Sequence, residues 1–223
     1  MTILFAALLA LAATPVHAEF AAASCHQLGG IGCYFVPDDA PQDATLLIYL
    51  RGHHPVYKSR VPASECLASA RQAFLFYGLG RLAEEKKMAV LVTCRSGQAV
   101  TENNLAALAQ EAGKPFAKRI IAAHSGGYVG LGATLDAGVN TSRILMLDDF
   151  YDGSPDGLNK KVQKAVAAGA TCAGYFTPHN KKRYETAYKP VVSCAMDELK
   201  DNALHDPTVA RCLGPYLTGA CAL

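Results

Sequence analysis

Ile120-Ile121-Ala122-Ala123-His124-Ser125-Gly126-Gly127-Tyr128 runs as an apolar strand into His-Ser-Gly-Gly, and a pattern of helical period begins immediately after it. A serine at such a junction stands on a tight turn with its hydroxyl lifted above a sheet. Small residues are needed around it because a larger side chain would strike neighbouring backbone. The amide of Gly126 then falls at a helix N-terminus, where it can donate to a developing oxyanion. The bland alternative is a strand–turn–helix junction at which Ser125 merely caps the helix.

Outward from this junction, apolar runs of strand length alternate with segments of helical period. The strand candidates are Thr45–Leu50, Ala89–Cys94, Arg119–Ala123, Arg143–Asp148, Thr171–Phe176 and Val191–Ala195. Most are apolar on both faces, as parallel strands covered by helices on each side are. Between them lie helix candidates over Pro62–Lys87, Thr101–Ala112, Gly126–Ala137 and Gly157–Ala168, with a last one over Thr208–Leu217. Gly113, Gly138 and Gly169 follow three of them where a C-terminal cap belongs. Alternating units of this length predict an α/β fold, a three-layer α/β/α sandwich on a mostly parallel sheet. A closed (β/α)₈ barrel needs eight repeats and about 250 residues. Residues 44–223 read as one domain. Residues 19–43 read as an N-terminal extension that can hold an antiparallel edge hairpin, with Gly32–Val36 as one strand.

Residues 1–18 read as an export signal: an apolar run from Ile3 to Ala13, the breaker Pro15, then Val16-His17-Ala18 with small residues where a signal peptidase reads. The eight cysteines agree with that compartment, since an even count in an exported chain argues for disulfides. Local loops favour Cys25–Cys33 and Cys212–Cys221. A net charge of +2 gives no electrostatic reason to expect a nucleic-acid partner. No second hydrophobic segment is long enough to span a membrane, so the expected location is periplasmic or secreted.

Three further stretches carry chemistry. Leu46 to Pro55 is a strand ending in Arg51-Gly52-His53-His54, whose loop can turn the backbone of Gly52 or His53 toward the serine. Leu145-Met146-Leu147-Asp148-Asp149 puts acids at a strand end, where one of them can hold an imidazole in a single tautomer. Asp148 is the first choice, Asp149 the second and Asp152 the third. A serine hydroxyl needs a general base, and two histidines follow, His179 and His205. His124, beside the serine, faces away from the pocket and orients the loop.

Taken together, residues 44–217 resemble the α/β-hydrolase family, with Ala123-His124-Ser125-Gly126-Gly127 in place of its G-x-S-x-G nucleophile elbow and Ala123 for the first glycine. The resemblance implies Ser125 as nucleophile, Asp148 as acid and a base in the chain order nucleophile, acid, histidine. His205 lies after the last strand, where the family carries its base, and His179 is the alternative. The resemblance also implies an oxyanion hole from Gly126, Gly52 and His53, and no cofactor. The expected activity is cleavage of an ester or amide bond in a small-molecule or cell-envelope substrate. Little room remains for a lid after the acid-bearing strand, which favours an open site and a bulky or polymeric substrate. Two rivals remain: a catalytically inactive hydrolase-like binding protein, and a metal-dependent amidase using His53, His54 and His179 or His205.

Overall fold

The computed structural model describes residues 25–53, 56, 60–148, 155–182, 194–200, 203, 205–206, 208–209 and 212–213. The chain enters its sheet through a hairpin. Strand β1 (His26–Leu28) turns at Gly29, which takes φ +47°, into antiparallel β2 (Gly32–Phe35), and the Cys25–Cys33 disulfide closes the pair. There follow β3 (Leu46–Leu50), α1 (Cys66–Phe76), α2 (Leu79–Lys86), β4 (Ala89–Thr93) and α3 (Glu102–Ala112). The remainder is β5 (Arg119–His124), α4 (Tyr128–Asp136), β6 (Arg143–Leu147), α5 (Pro155–Ala167), β7 (Thr171–Phe176) and β8 (Ala195–Glu198).

These strands form one eight-stranded sheet in the order β1-β2-β4-β3-β5-β6-β7-β8. From β4 to β8 every pairing is parallel, and the two antiparallel pairings are β1 with β2 and β2 with β4. The chain is therefore α/β with a mostly parallel mixed sheet. The hairpin is continuous with that sheet, because β2 pairs with β4 in the register Cys33↔Val92.

Helices on both sides explain why the central strands are apolar throughout. In β3, Leu46, Ile48 and Leu50 pack with Leu105 of α3, Leu131 of α4 and Leu158 of α5. The alternate residues Leu47 and Tyr49 pack with Ala70 and Phe74 of α1 and Leu79 of α2. All five are essentially inaccessible to water, as a strand with both faces covered requires. Helix α3 begins as its sequence implies: the Thr101 hydroxyl accepts from the Asn104 amide while the Asn104 side chain accepts from the Thr101 amide.

Two expectations are corrected. Pro62–Lys87 is two helices after a short 3₁₀ turn at Ala63–Glu65, because Gly78 takes φ +63° between α1 and α2. Glycine reaches this left-handed region without a Cβ clash, so the helical period continues in sequence while the helix axis does not. The break leaves Tyr77 between the helices, where it meets the functional site. The last strand is Ala195–Glu198 rather than Val191–Ala195; Val191–Ser193 lie outside the described residues. Among the described residues this strand pairs only with β7, so it does not need the doubly apolar character that pointed to the earlier run.

Chain direction places the site. From β3 the chain passes to β4 on one side, and from β4 it crosses to β5 on the other side of β3. The carboxyl ends of β3 and β5 thus flank a topological switch point, where open α/β sheets form their ligand crevice. Surface hollows lined by Leu105, Phe116 and Arg119, and by Asp39, Thr45 and Lys118, include residues at the opposite, amino ends of β3 and β5.

Candidate active site

Ser125 follows β5 directly and opens a 3₁₀ turn, Ser125–Gly127, that leads into α4. Its φ is +56°, a left-handed conformation for a residue with a side chain. Such a residue costs of order 1–3 kcal/mol and persists only when its surroundings determine it. The surroundings here are glycines against the end of β3. A methyl group on Gly127 would collide with the Leu50 carbonyl, and one on Gly52 would lie 2.7 Å from Ser125 Cβ and 3.1 Å from its Oγ. The backbone of Gly52 is therefore packed on the serine side chain. His53 is exposed, and its ring covers Gly126: a Cβ there would lie 2.7 Å from His53 Cδ2. The three residues expected to surround the serine, Gly52, His53 and Gly126, are thus its immediate neighbourhood.

That loop is pinned from behind. The buried guanidinium of Arg51 donates through Nη1 to the Ser69 carbonyl of α1 at 2.6 Å, and the Arg51 amide donates to Thr93 Oγ1 of β4 at 3.2 Å.

Asp148 comes immediately after β6 and is buried, 1% exposed, with φ +48°. Its Oδ1 accepts from the Thr177 amide (2.8 Å), the Thr177 hydroxyl (3.1 Å) and the Asn180 side-chain amide (2.8 Å). Its Oδ2 faces His205 Nδ1 at 2.6 Å. Burial pushes this carboxyl up, but the bonds from His205, Thr177 and Asn180 outweigh it and hold the acid below its ordinary range. An ionised acid accepts only, so His205 Nδ1 carries the proton and Nε2 is left as the basic nitrogen.

His205 is joined to the elbow as well. His124 Nε2 lies 3.1 Å from the His205 carbonyl, and the two rings meet tilted by 35° with centroids 4.8 Å apart. His124 Nδ1 lies 3.4 Å from the Tyr77 hydroxyl, which also reaches Asp206 Oδ1 at 3.3 Å. Burial, then the neighbouring His205, lowers the His124 pKa to about 4, so this ring is neutral at ordinary pH.

Of the two histidines considered as base, the structure brings His205 to Asp148 and puts His179 at an exposed position in the helical residues 178–182 after β7. The neighbour of His179, Asn180, is buried against the acid instead. His54, Asp149 and Asp152 lie outside the described residues. Among the described residues no group of metal-ligand atoms joins His53 to His179 or His205. The one grouping present is His124, His205 and Asp206, with ligand atoms within 4.8 Å of one another. In it, His124 Nε2 is already engaged by a carbonyl and His205 Nδ1 by Asp148.

Sequence reasoning missed Thr177, Asn180, Tyr77 and Arg51. For Thr177 and Asn180 a signal existed: polar residues directly after β7, the strand beside the acid-bearing one, fall at the same sheet edge. Tyr77 and Arg51 had no such signal, because each acts through a partner far away in sequence. No protein-family model matches this chain, and no curated protein sequence matches it.

Proposed function

We propose that the chain is a serine hydrolase of the α/β-hydrolase type, cleaving an ester or amide bond. The observation that carries the reading is the 2.6 Å contact between the buried Asp148 carboxylate and His205, whose carbonyl is tied to the residue preceding a serine in left-handed conformation. Ser125 Oγ attacks the substrate carbonyl carbon and its proton passes to His205 Nε2. The imidazolium is stabilised by Asp148, which remains ionised. Backbone amides of Gly126 and of the Gly52–His53 loop receive the oxyanion. The tetrahedral intermediate collapses as His205 protonates the leaving alcohol or amine. Water then repeats the sequence on the acyl-serine, with His205 again taking and returning the proton.

Seven residues, 148–154, separate β6 from α5, which is short for a covering lid and supports an open site. The disulfides Cys25–Cys33, Cys66–Cys94 and Cys172–Cys194 suit an oxidising compartment, so action on exported or cell-envelope esters or amides fits. Cys212 is also disulfide-bonded; its expected partner Cys221 lies outside the described residues. No helix among the described residues is long and apolar enough to cross a membrane.

The test is covalent. The wild-type protein should be labelled by a fluorophosphonate probe, and Ser125→Ala should fold normally and take up none. Labelling that survives in the variant would remove Ser125 as the nucleophile. An unlabelled wild type would favour the binding-protein alternative.

A further inference from the structure

A triad base must present one nitrogen to the serine, and one hydrogen bond is not enough to place it. The bond from His205 Nδ1 to Asp148 fixes one atom of the ring, about which the imidazole can still swing. The residues around His205 come from beyond β8, and their anchorage to the sheet determines where Nε2 stands. Leu199 is held by its amide to the Phe176 carbonyl at 2.7 Å, but that point lies six residues before the base.

We infer that His124 is a positioning residue for His205, setting the base by a hydrogen bond to its main chain and by a tilted ring contact at 4.8 Å. A carbonyl only accepts, so at 3.1 Å from the His205 oxygen His124 Nε2 must carry the proton. His124 Nδ1 is then an acceptor facing the Tyr77 hydroxyl at 3.4 Å, whose one proton also lies within reach of Asp206 Oδ1 at 3.3 Å. Burial, then the Asp206 carboxylate, holds the Tyr77 proton in place well past its ordinary range. Among the described residues, His205 thus meets Asp148 at Nδ1, the tilted His124 ring beside its own, and His124 Nε2 at its main-chain carbonyl.

His124 is also the last residue of β5, in register with Leu147 of β6. Its neighbour on one side is the nucleophile, and the register partner Leu147 precedes the acid. One piece of sheet backbone therefore carries the serine and clamps the base, so that displacement of the strand end moves both together. A histidine that was only a buried core residue would need partners for its nitrogens, but nothing would require one partner to be the base residue itself. Because His124 stays neutral, it places no second cation beside His205 when that ring takes up the serine proton.

This inference rests on the hydrolase reading, and two readouts separate their failures. Glutamine can place an amide donor near the Nε2 position, asparagine places it near Nδ1, and phenylalanine keeps the ring without any donor. Full-length wild type, His124→Gln, His124→Asn and His124→Phe are compared for kcat and KM on an activated ester. They are also compared for the low-field proton resonance of His205 Nδ1–H, which needs Asp148 but no turnover. The expected result for His124→Phe is a kcat loss approaching about 10²-fold at unchanged KM, the scale of a misplaced catalytic group, with the low-field resonance broadened. Glutamine should recover about tenfold over asparagine and restore the resonance. If Phe proves unfolded, the Gln and Asn pair decides alone. Equal kcat and equal spectra for Gln and Asn, a wild-type spectrum and rate in a folded Phe variant, or no low-field resonance in wild type would each overturn the assignment. A wild type that shows the resonance but no labelling refutes the hydrolase and leaves the positioning role decided by the spectra.

Discussion

Ser125 and Asp148 share a left-handed backbone conformation, and among the described residues only Lys87 joins them as a non-glycine residue at positive φ. Lys87 ends a helix, where that conformation caps it. The other two stand at the ends of neighbouring strands and turn their side chains out of the strand direction, strain that the glycine contacts and the hydrogen bonds to Asp148 sustain. At this scale the two histidines are separable. A triad base both takes the serine proton and gives it to the leaving group, so its truncation removes two acts. His205→Ala is expected to lower kcat by about 10⁴-fold, and His179→Ala by less than about 10²-fold, measured on the same ester. A dead His179→Ala alongside an active His205→Ala would refute the pairing with Asp148 as the catalytic one.

At the scale of elements, helix α1 is the bracket behind the loop that bears Gly52. Its N-terminus is tied to the end of β4 by Cys66–Cys94, Ser69 receives Arg51, and Ser69 Oγ donates to the Cys94 carbonyl at 3.0 Å. The disulfide spans 28 residues, and closing a loop of that size constrains the unfolded chain by about 2–4 kcal/mol. The double variant Cys66→Ser/Cys94→Ser should therefore lose about that much stability in urea titrations. It should still be labelled at Ser125 at low temperature, since Arg51 and Ser69 remain. Retained stability would mean that the hydrogen bonds suffice to hold the bracket. Loss of labelling in a folded variant would show that the disulfide sets the loop itself.

For the whole molecule, the buried groups of the site make stability depend on acid. His124 has its pKa lowered from 6.5 to about 4 by burial and by His205, with Tyr77, Asp206 and Asp148 also facing it. The unfolded chain takes a proton there below about pH 6.5, the folded one only near 4. Stability is thus full above 6.5 and falls as pH drops to 4. Asp148 acts in the same direction: its folded pKa is depressed, so its contribution is present above the ordinary carboxylate range and is lost as pH falls through the folded value. The His124 share amounts to on the order of 3 kcal/mol. Urea midpoints should fall from pH 7 to pH 4, and His124→Gln should show a shallower fall. A midpoint that held or rose over that range would contradict the buried neutral assignment.

The α/β class and the parallel strands were readable from sequence because a strand covered on both faces must be apolar at every position, as Leu46 to Leu50 are. The serine turn was readable because Gly126 and Gly127 leave no Cβ where the chain passes the end of β3. Cys25–Cys33 was readable because eight residues close on themselves in a hairpin. All of these are local, or repeat with a local period. The pairing of Cys66 with Cys94 and the meeting of Tyr77 and Arg51 with the site were decided by the tertiary structure alone. Each depends on which strand lies beside which and on where a helix breaks, and that information resides in contacts between residues tens of positions apart, for which neither periodicity nor spacing leaves a trace.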